Sequence, residues 1–336
     1  MTTMKFYDVV LFAKYNFHLS CLSPISVELT KLDIDHLLTT KRYQIYDMCT
    51  EHNRKIKIFV MSDEWIDLFR TAAEIIITTG HSLASKNTTF NQRNVNADYI
   101  CATSEWQKEE FSIRSIRPRK EIWTTGYPAA DRILLKKLNP KSNWSNLFYD
   151  NGKKNILFAP TYNRDLNFMD NLVQNPLIFE KLQKYNVAFK LHPVLIKKYP
   201  EYESFLLDIV HKWSNVFWDQ NSHGDISDAI LWADTIVGDC SGALFLSLAK
   251  NIPIVAFNNP RKAESPYFDP IGPEWIFRDE YAYTIDDMEN LFGTLEEIFN
   301  IDWKNKRREG VRNTVFGNSI DGLSAMRIAR NIRALL

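Results

Sequence analysis

Three scarcities narrow the field before any motif is read. Cysteine occurs only at Cys21, Cys49, Cys101 and Cys240. These show no paired spacing, so neither a zinc site nor a disulfide framework is expected. Long apolar runs are missing, and the first residues carry no signal-peptide pattern. A cytoplasmic chain is therefore expected, with peripheral attachment to the inner face of the plasma membrane left open. Net charge of one sign is missing too: 41 Lys and Arg face 41 Asp and Glu. That balance argues against a nucleic-acid partner held by bulk electrostatics. Glycine is sparse, and no Gly-rich fingerprint follows the first strand-like run at Phe6–Ala13, which weakens a dinucleotide reading. No acidic cluster calls for a metal.

What is present is an alternation of strand-like and helix-like stretches over 336 residues, enough for two domains. Apolar runs recur at His36–Thr40, Lys57–Met61, Glu74–Thr78, Ala97–Thr103 and Glu121–Thr125. Helix-like segments are expected at Pro24–Leu32, Arg42–Asn53 and 64–72. Ser104 and Gln107 have capping-box spacing. This spacing predicts a doubly wound α/β domain over residues 1–138. A polar stretch at 139–154, with Pro140 and Gly152, reads as the linker. A second α/β domain follows over 155–315, and a helix over 316–336 has apolar spacing suited to packing back on the first domain.

The second domain carries the chemistry. Ile156–Ala159 stops at Pro160–Asp165, Val187–Leu191 at His192-Pro193, and Thr235–Gly238 at Asp239–Gly242. Helix-like segments at Asn175–Tyr185 and Pro200–Trp213 intervene, so the strands should be parallel with right-handed crossovers. Ligands of open parallel sheets bind outside the carboxyl ends of the strands. The three polar clusters should then lie side by side on one rim, half of a nucleotide-binding cleft.

Each cluster offers a function and a plainer alternative. A strand entering a helix through Ser241 and Gly242 exposes backbone amides that favour phosphate, although Ser-Gly turns are common. Asp239 repels phosphate and suits a ribose hydroxyl or the positioning of a neighbour. His192 precedes a proline that suits a helix start; a lone histidine is more often structural. Thr161 is a further donor. Arg164 has the fork to grip phosphate, with an ion pair to Asp165 as its alternative. Asp225 reads as the cap of a helix through Asp234, and Asp228 as a candidate nucleotide contact. In the first domain, Asn16 and His18 follow the first strand where a loop would face the cleft. The turn Gly80-His81 sets an imidazole at a strand's carboxyl end, a good place for a base. Two basic clusters, Arg114 with Arg117, Arg119 and Lys120, and Lys304 with Lys306, Arg307, Arg308 and Arg312, are solvated faces or docking points for an anionic acceptor or acidic lipid.

Ile156–Thr161, Leu191-His192-Pro193 and Asp234–Ser241 resemble the motifs of CDP-glycerol glycerophosphotransferases, the teichoic-acid and capsule polymerase relatives of GT-B fold. Gly80–Lys86 resembles that family's histidine-glycine segment less closely. Gly242 stands where the family often has serine, and Ser82 where glycine is usual. The resemblance implies a GT-B-like α/β protein whose two Rossmann-like domains face each other across a cleft, with one histidine donated by each: His81 and His192. It implies a nucleotide-activated donor as substrate, CDP-linked favoured, no cofactor, and a polysaccharide or lipid-linked acceptor. His81 would be the base; His192, Ser241 and the adjacent amides would hold the diphosphate. Asn16, His18, Ser82 and Lys86 would lie on the acceptor side. A UDP-N-acetylglucosamine 2-epimerase-like enzyme and a catalytically silent scaffold in envelope assembly are the competing expectations.

Overall fold

The computed structural model describes residues 5–63, 65–80, 82–83, 89–148, 151–221 and 225–336. The chain divides into two units. The first comprises the described residues up to Leu135 together with Asn313–Leu336; the second comprises Lys136–Arg312.

Six short strands build the first unit: β1 Val9–Phe12, β2 His36–Thr39, β3 Ile56–Met61, β4 Ala73–Thr78, β5 Tyr99–Ala102 and β6 Glu121–Thr124. All pairings are parallel, in the order β2-β1-β3-β4-β5-β6. Successive side chains of a strand point to opposite faces, and two cores follow from that period. Val10, Phe12, Phe59, Met61 and Ile76 belong to one; Val9, Leu11, Ile58, Val60 and Ile77 belong to the other. Both faces are covered, which is why the strands read as near-continuous apolar runs.

The C-terminal helix Ser324–Leu335 supplies part of that second cover. Its Ala325, Ile328, Ala329 and Ile332 share the core with Leu22, Ile25 and Leu29 of helix Leu19–Lys31. The packing of the last segment onto the first unit is thus as its apolar spacing predicts. Its start is capped from a distance. The buried Asp131 carboxylate, on helix Pro128–Leu134, accepts the backbone N–H of Ser324 at 3.1 Å and of Ala325 at 2.9 Å. Burial pushes this carboxyl above the usual aspartate range, and the two amides partly offset that. Asp131→Ala should cost about 1–2 kcal/mol, read by urea denaturation, and Asp131→Asn less, because one acceptor survives without a buried charge. Equal stability of all three proteins would show that the cap contributes nothing.

Local details depart from the sequence reading where burial overrides punctuation. The first helix begins at Leu19, with Pro24 inside it and not at its start. The one backbone bond lost at proline is outweighed by burying Cys21 and Leu22 in the turn before it. The segment expected as a helix at 64–72 shows only the 3₁₀ turn Ile66–Phe69, which buries Ile66 and Phe69. Ser104 caps helix Glu105–Ile113 through the Gln107 N–H at 3.3 Å, and the Gln107 side chain returns to the Thr103 N–H at 2.8 Å.

The second unit repeats the design with β7 Asn155–Ala159, β8 Asn186–Lys190, β9 Val216–Asp219, β10 Thr235–Gly238, β11 Ile254–Phe257 and β12 Tyr283–Ile285. Its order is β12-β11-β10-β7-β8-β9, again all parallel. The first strand of the unit lies mid-sheet, and the strand order reverses between β7 and β10. Such a reversal opens the crevice where ligands of this sheet type bind. Residues 139–154 belong to this unit, and their Trp144 is buried against Phe217 and Trp232.

Candidate active site

β10, β7 and β8 are neighbours, so the three polar clusters do share one rim. Ala159 and Gly238 are level in the sheet. Beyond them Asp239, fully buried, closes the gap: its carboxylate accepts the Thr161 N–H at 2.9 and 3.2 Å and the Cys240 N–H at 2.6 Å. Of the two roles open to Asp239, the geometry gives it the positioning of its neighbours. At Gly238 the packing is close: a Cβ there would lie 2.6 Å from Leu244 Cδ2 of helix Gly242–Leu248, whose side chain would have to shift.

Ser241 leads into this helix with extended backbone and makes no side-chain cap bond. It is only 7% exposed, and its hydroxyl has no hydrogen-bond partner among the described residues. Ten other side-chain polar atoms among the described residues share that condition, and three of them, Asn258 Oδ1, Trp275 Nε1 and Arg278 Nε, belong to segments at the ends of β10 and β11. Arg278 Nη1 donates to the Asp239 carbonyl at 2.8 Å and Nη2 to the Phe257 carbonyl at 2.6 Å. The Trp275 ring lies 4.4 Å from this guanidinium, and Asn258 directly follows Phe257. Each buried polar atom left without a partner costs about 1–3 kcal/mol.

His192 is half-buried two residues beyond β8. Its Nδ1 accepts the Val194 N–H at 3.2 Å, an arrangement that in the neutral ring goes with the proton on Nε2. The ring packs on Tyr162 with centroids 4.7 Å apart, and Tyr162 on Tyr267 at 5.8 Å. Thr161, buried, fixes the loop through its N–H and accepts from Asn167 Nδ2 at 3.1 Å.

Several expected contacts have other partners. The Arg164 fork is held by Asp170 at 2.7–3.0 Å, with Glu201 at 3.2 Å. The Arg164 guanidinium holds the Asp170 carboxyl below the usual range, with help from the Tyr202 hydroxyl. Asp165, expected beside Arg164, faces Arg261 at 3.9 Å. Asp228 accepts the Asn139 N–H at 3.1 Å and so anchors the chain entering the unit. Asp225 accepts the Ser227 N–H and hydroxyl, both at 2.9 Å, but the cap position of helix Ser227–Trp232 is Ile226, without a side-chain cap bond. Of the basic cluster at 304–312, Lys304 and Arg308 are not a solvated face. Arg308 is 0% exposed and paired with Asp302, and the Lys304 ammonium donates to the Asp279 and Ala282 carbonyls, its pKa lowered by burial.

His81 and Lys86 lie outside the described residues. Gly80 just before them has φ +63°. Ser82 is half-buried, and its carbonyl accepts the Thr89 hydroxyl at 3.0 Å. Asn16 is exposed. His18 is 1% exposed, set edge-on to Phe17 and Tyr15 at 4.6 and 5.4 Å. Among the described residues, no group of three or more His, Cys, Asp or Glu is arranged to hold a metal ion, and no helix is long and apolar enough to cross a membrane.

Sequence reasoning missed Asn258, Trp275 and Arg278. Glu274 and Arg278, four apart, are both buried, which nothing in the local sequence marks.

A family model described as CDP-Glycerol:Poly(glycerophosphate) glycerophosphotransferase matches residues 66–334. The chain belongs to this family. Membership makes it a glycerophosphotransferase-type transferase, and the motif strands β7, β8 and β10 lie within the match. No curated protein matches. Among solved structures, the wall teichoic acid polymerase TagF aligns with TM-score 0.72 at 14% identity, over 97% of this chain and 88% of that one. A putative UDP-N-acetylglucosamine 2-epimerase from Listeria monocytogenes aligns with TM-score 0.66 at 13% identity, over 97% and 95%. The UDP-GlcNAc 2-epimerase of Methanocaldococcus jannaschii gives 0.60 at 17% identity, over 97% and 99%. At such identities the likeness establishes the α/β fold shared by transferase and epimerase; the family match selects the transferase.

Proposed function

We propose that this glycerophosphotransferase moves a glycerol-phosphate or related polyol-phosphate unit from a CDP-linked donor to a hydroxyl of a teichoic-acid-like or capsule polysaccharide acceptor. The observation that carries the donor side is the group of unpartnered buried polar atoms, Ser241, Asn258, Trp275 and Arg278, at the strand-order reversal of the second unit. A TagF structure soaked with CDPG supports the choice of donor.

In the proposed reaction, His81 takes the proton of the acceptor hydroxyl as its oxygen attacks the donor's polyol-bearing phosphorus. The bond from that phosphorus to the bridging oxygen breaks, and CMP leaves with the oxygen. His192 Nε2–H and the Ser241 hydroxyl donate to the diphosphate and stabilise the charge that develops on it. Asp239 and Arg278 act through the backbone, holding the loops that present those donors. The activated donor is itself the substrate, and the proposal assigns no cofactor or metal. The enzyme would work at the inner face of the plasma membrane, where a lipid-linked acceptor is reached by peripheral contact.

Thermal denaturation with CDP-, UDP- and GDP-linked compounds tests the donor assignment. A ligand that binds only the native state stabilises it by about 2.7 kcal/mol at a hundredfold excess over its Kd. CDP-glycerol or CDP-ribitol should raise the melting temperature well above the effect of the others. Stabilisation by UDP-linked sugars alone, with an isomerised sugar nucleotide formed in the absence of acceptor, would replace this reading with the epimerase one.

A further inference from the structure

Three side chains that the reaction above does not use meet on the first unit. Trp65, 38% exposed, follows β3. The Lys14 ammonium, two residues beyond β1, lies 4.6 Å from its ring centre, and the Arg93 guanidinium lies 4.0 Å from it. Lys14 is also 5.0 Å from the ring of Tyr15, which is half exposed. β1 stands between β2 and β3, so the strand order of this sheet reverses there, the place where sheets of this type bind ligands.

The two cations are not equivalent. Lys14 is paired with buried Asp63 at 3.1 Å, so its charge is compensated. Arg93 is exposed and forms no ion pair among the described residues; its only side-chain contact of note is the indole. It is set there by its own backbone. The Asn91 side chain accepts the Arg93 N–H at 2.9 Å, and Asn96 of the same turn donates to Asp67 at 2.6 Å, tying the turn to the segment after Trp65. A guanidinium preorganised on an aromatic plane loses little entropy on gripping an anion.

We propose that Trp65, Arg93, Lys14 and Tyr15 form a docking site for the phosphate-bearing acceptor chain. A polyol-phosphate chain alternates an anionic group with a hydroxylated carbon stretch, and the site offers the complement: a free guanidinium beside an indole and a phenol. Arg93 takes a phosphate of the chain; Trp65 and Tyr15 lie against the adjoining polyol or sugar. The inference rests on the transferase reading above and adds where the growing chain is held.

Calorimetric titration of the full chain with a short synthetic glycerol-phosphate oligomer tests it. A phosphate-free polyol and an oligothymidylate of similar length serve as comparisons. Arg93→Ala should weaken oligomer binding roughly tenfold, and Trp65→Leu by a similar factor. Both should keep the wild-type thermal response to a CDP-linked donor. Arg93 is a surface residue, so its variant carries the test if Trp65→Leu fails to fold. Unchanged oligomer binding in Arg93→Ala, no oligomer binding by the wild type, or tighter binding of oligothymidylate than of the polyol phosphate would each overturn the docking site. Loss of the wild-type donor response would instead overturn the transferase reading, so the two failures are distinguishable.

Discussion

His81→Ala should lower transfer from a CDP-linked donor by about 10²–10⁴ while leaving the thermal response to that donor in place. The split follows from the division of labour. Removing a general base raises the barrier of the step in which the acceptor hydroxyl loses its proton, whereas the groups assigned to the diphosphate, His192 and Ser241, stay intact. His192→Ala makes the contrast. In the proposed mechanism its ring, which accepts the Val194 N–H on Nδ1, contacts bound donor and transition state alike, so that variant should weaken donor binding and slow transfer together. Rapid-quench measurement of CMP release with acceptor present reads both effects. Turnover of His81→Ala at the wild-type rate would remove His81 from the mechanism, and a lost donor response in that variant would move it to the donor side.

The part of this site legible in the sequence is the part built from strand ends. Ile156–Ala159, Val187–Leu191 and Thr235–Gly238 are apolar runs cut short by polar residues, and a parallel sheet puts such ends on one rim whatever surrounds them. The strands themselves were equally clear where both faces are buried. β9 and β12 were not, because they are three or four residues long and partly exposed, too short for a period to show. Partners chosen by tertiary packing were hidden as well. Nothing local distinguishes Asp165 from Asp170 as the counter-ion of Arg164, or marks Arg308 as fully buried within a run of surface-like charges. Arg278 became visible only when its guanidinium was found spanning the carbonyls that end β10 and β11.

Asp219→Ala should be among the most destabilising single changes in the second unit, costing about 3–5 kcal/mol. Lys190 and Asp219 are level across β8 and β9, and both are almost wholly buried, 2.7 Å apart. The pair is tolerated there because its remaining valences are met. Trp144 Nε1 donates to Asp219 Oδ2 at 3.2 Å, the Asn221 N–H to Oδ1 at 3.0 Å, and the ammonium to the Asn221 carbonyl. Truncating the carboxylate leaves a buried ammonium without its counter-charge and an indole N–H without its acceptor, and the second loss loosens the segment at 139–154 that Trp144 pins. The double change Lys190→Met with Asp219→Leu should recover most of the stability, since a buried ion pair replaced by apolar side chains of similar volume is often neutral. Urea denaturation of the wild type and these two variants measures this. A cost below about 1 kcal/mol for Asp219→Ala is what an exposed pair would give and would refute the burial. Function follows from the same geometry: His192 stands two residues beyond Lys190, so the double variant, though folded, should respond less to a CDP-linked donor if the pair sets the angle at which the chain leaves β8.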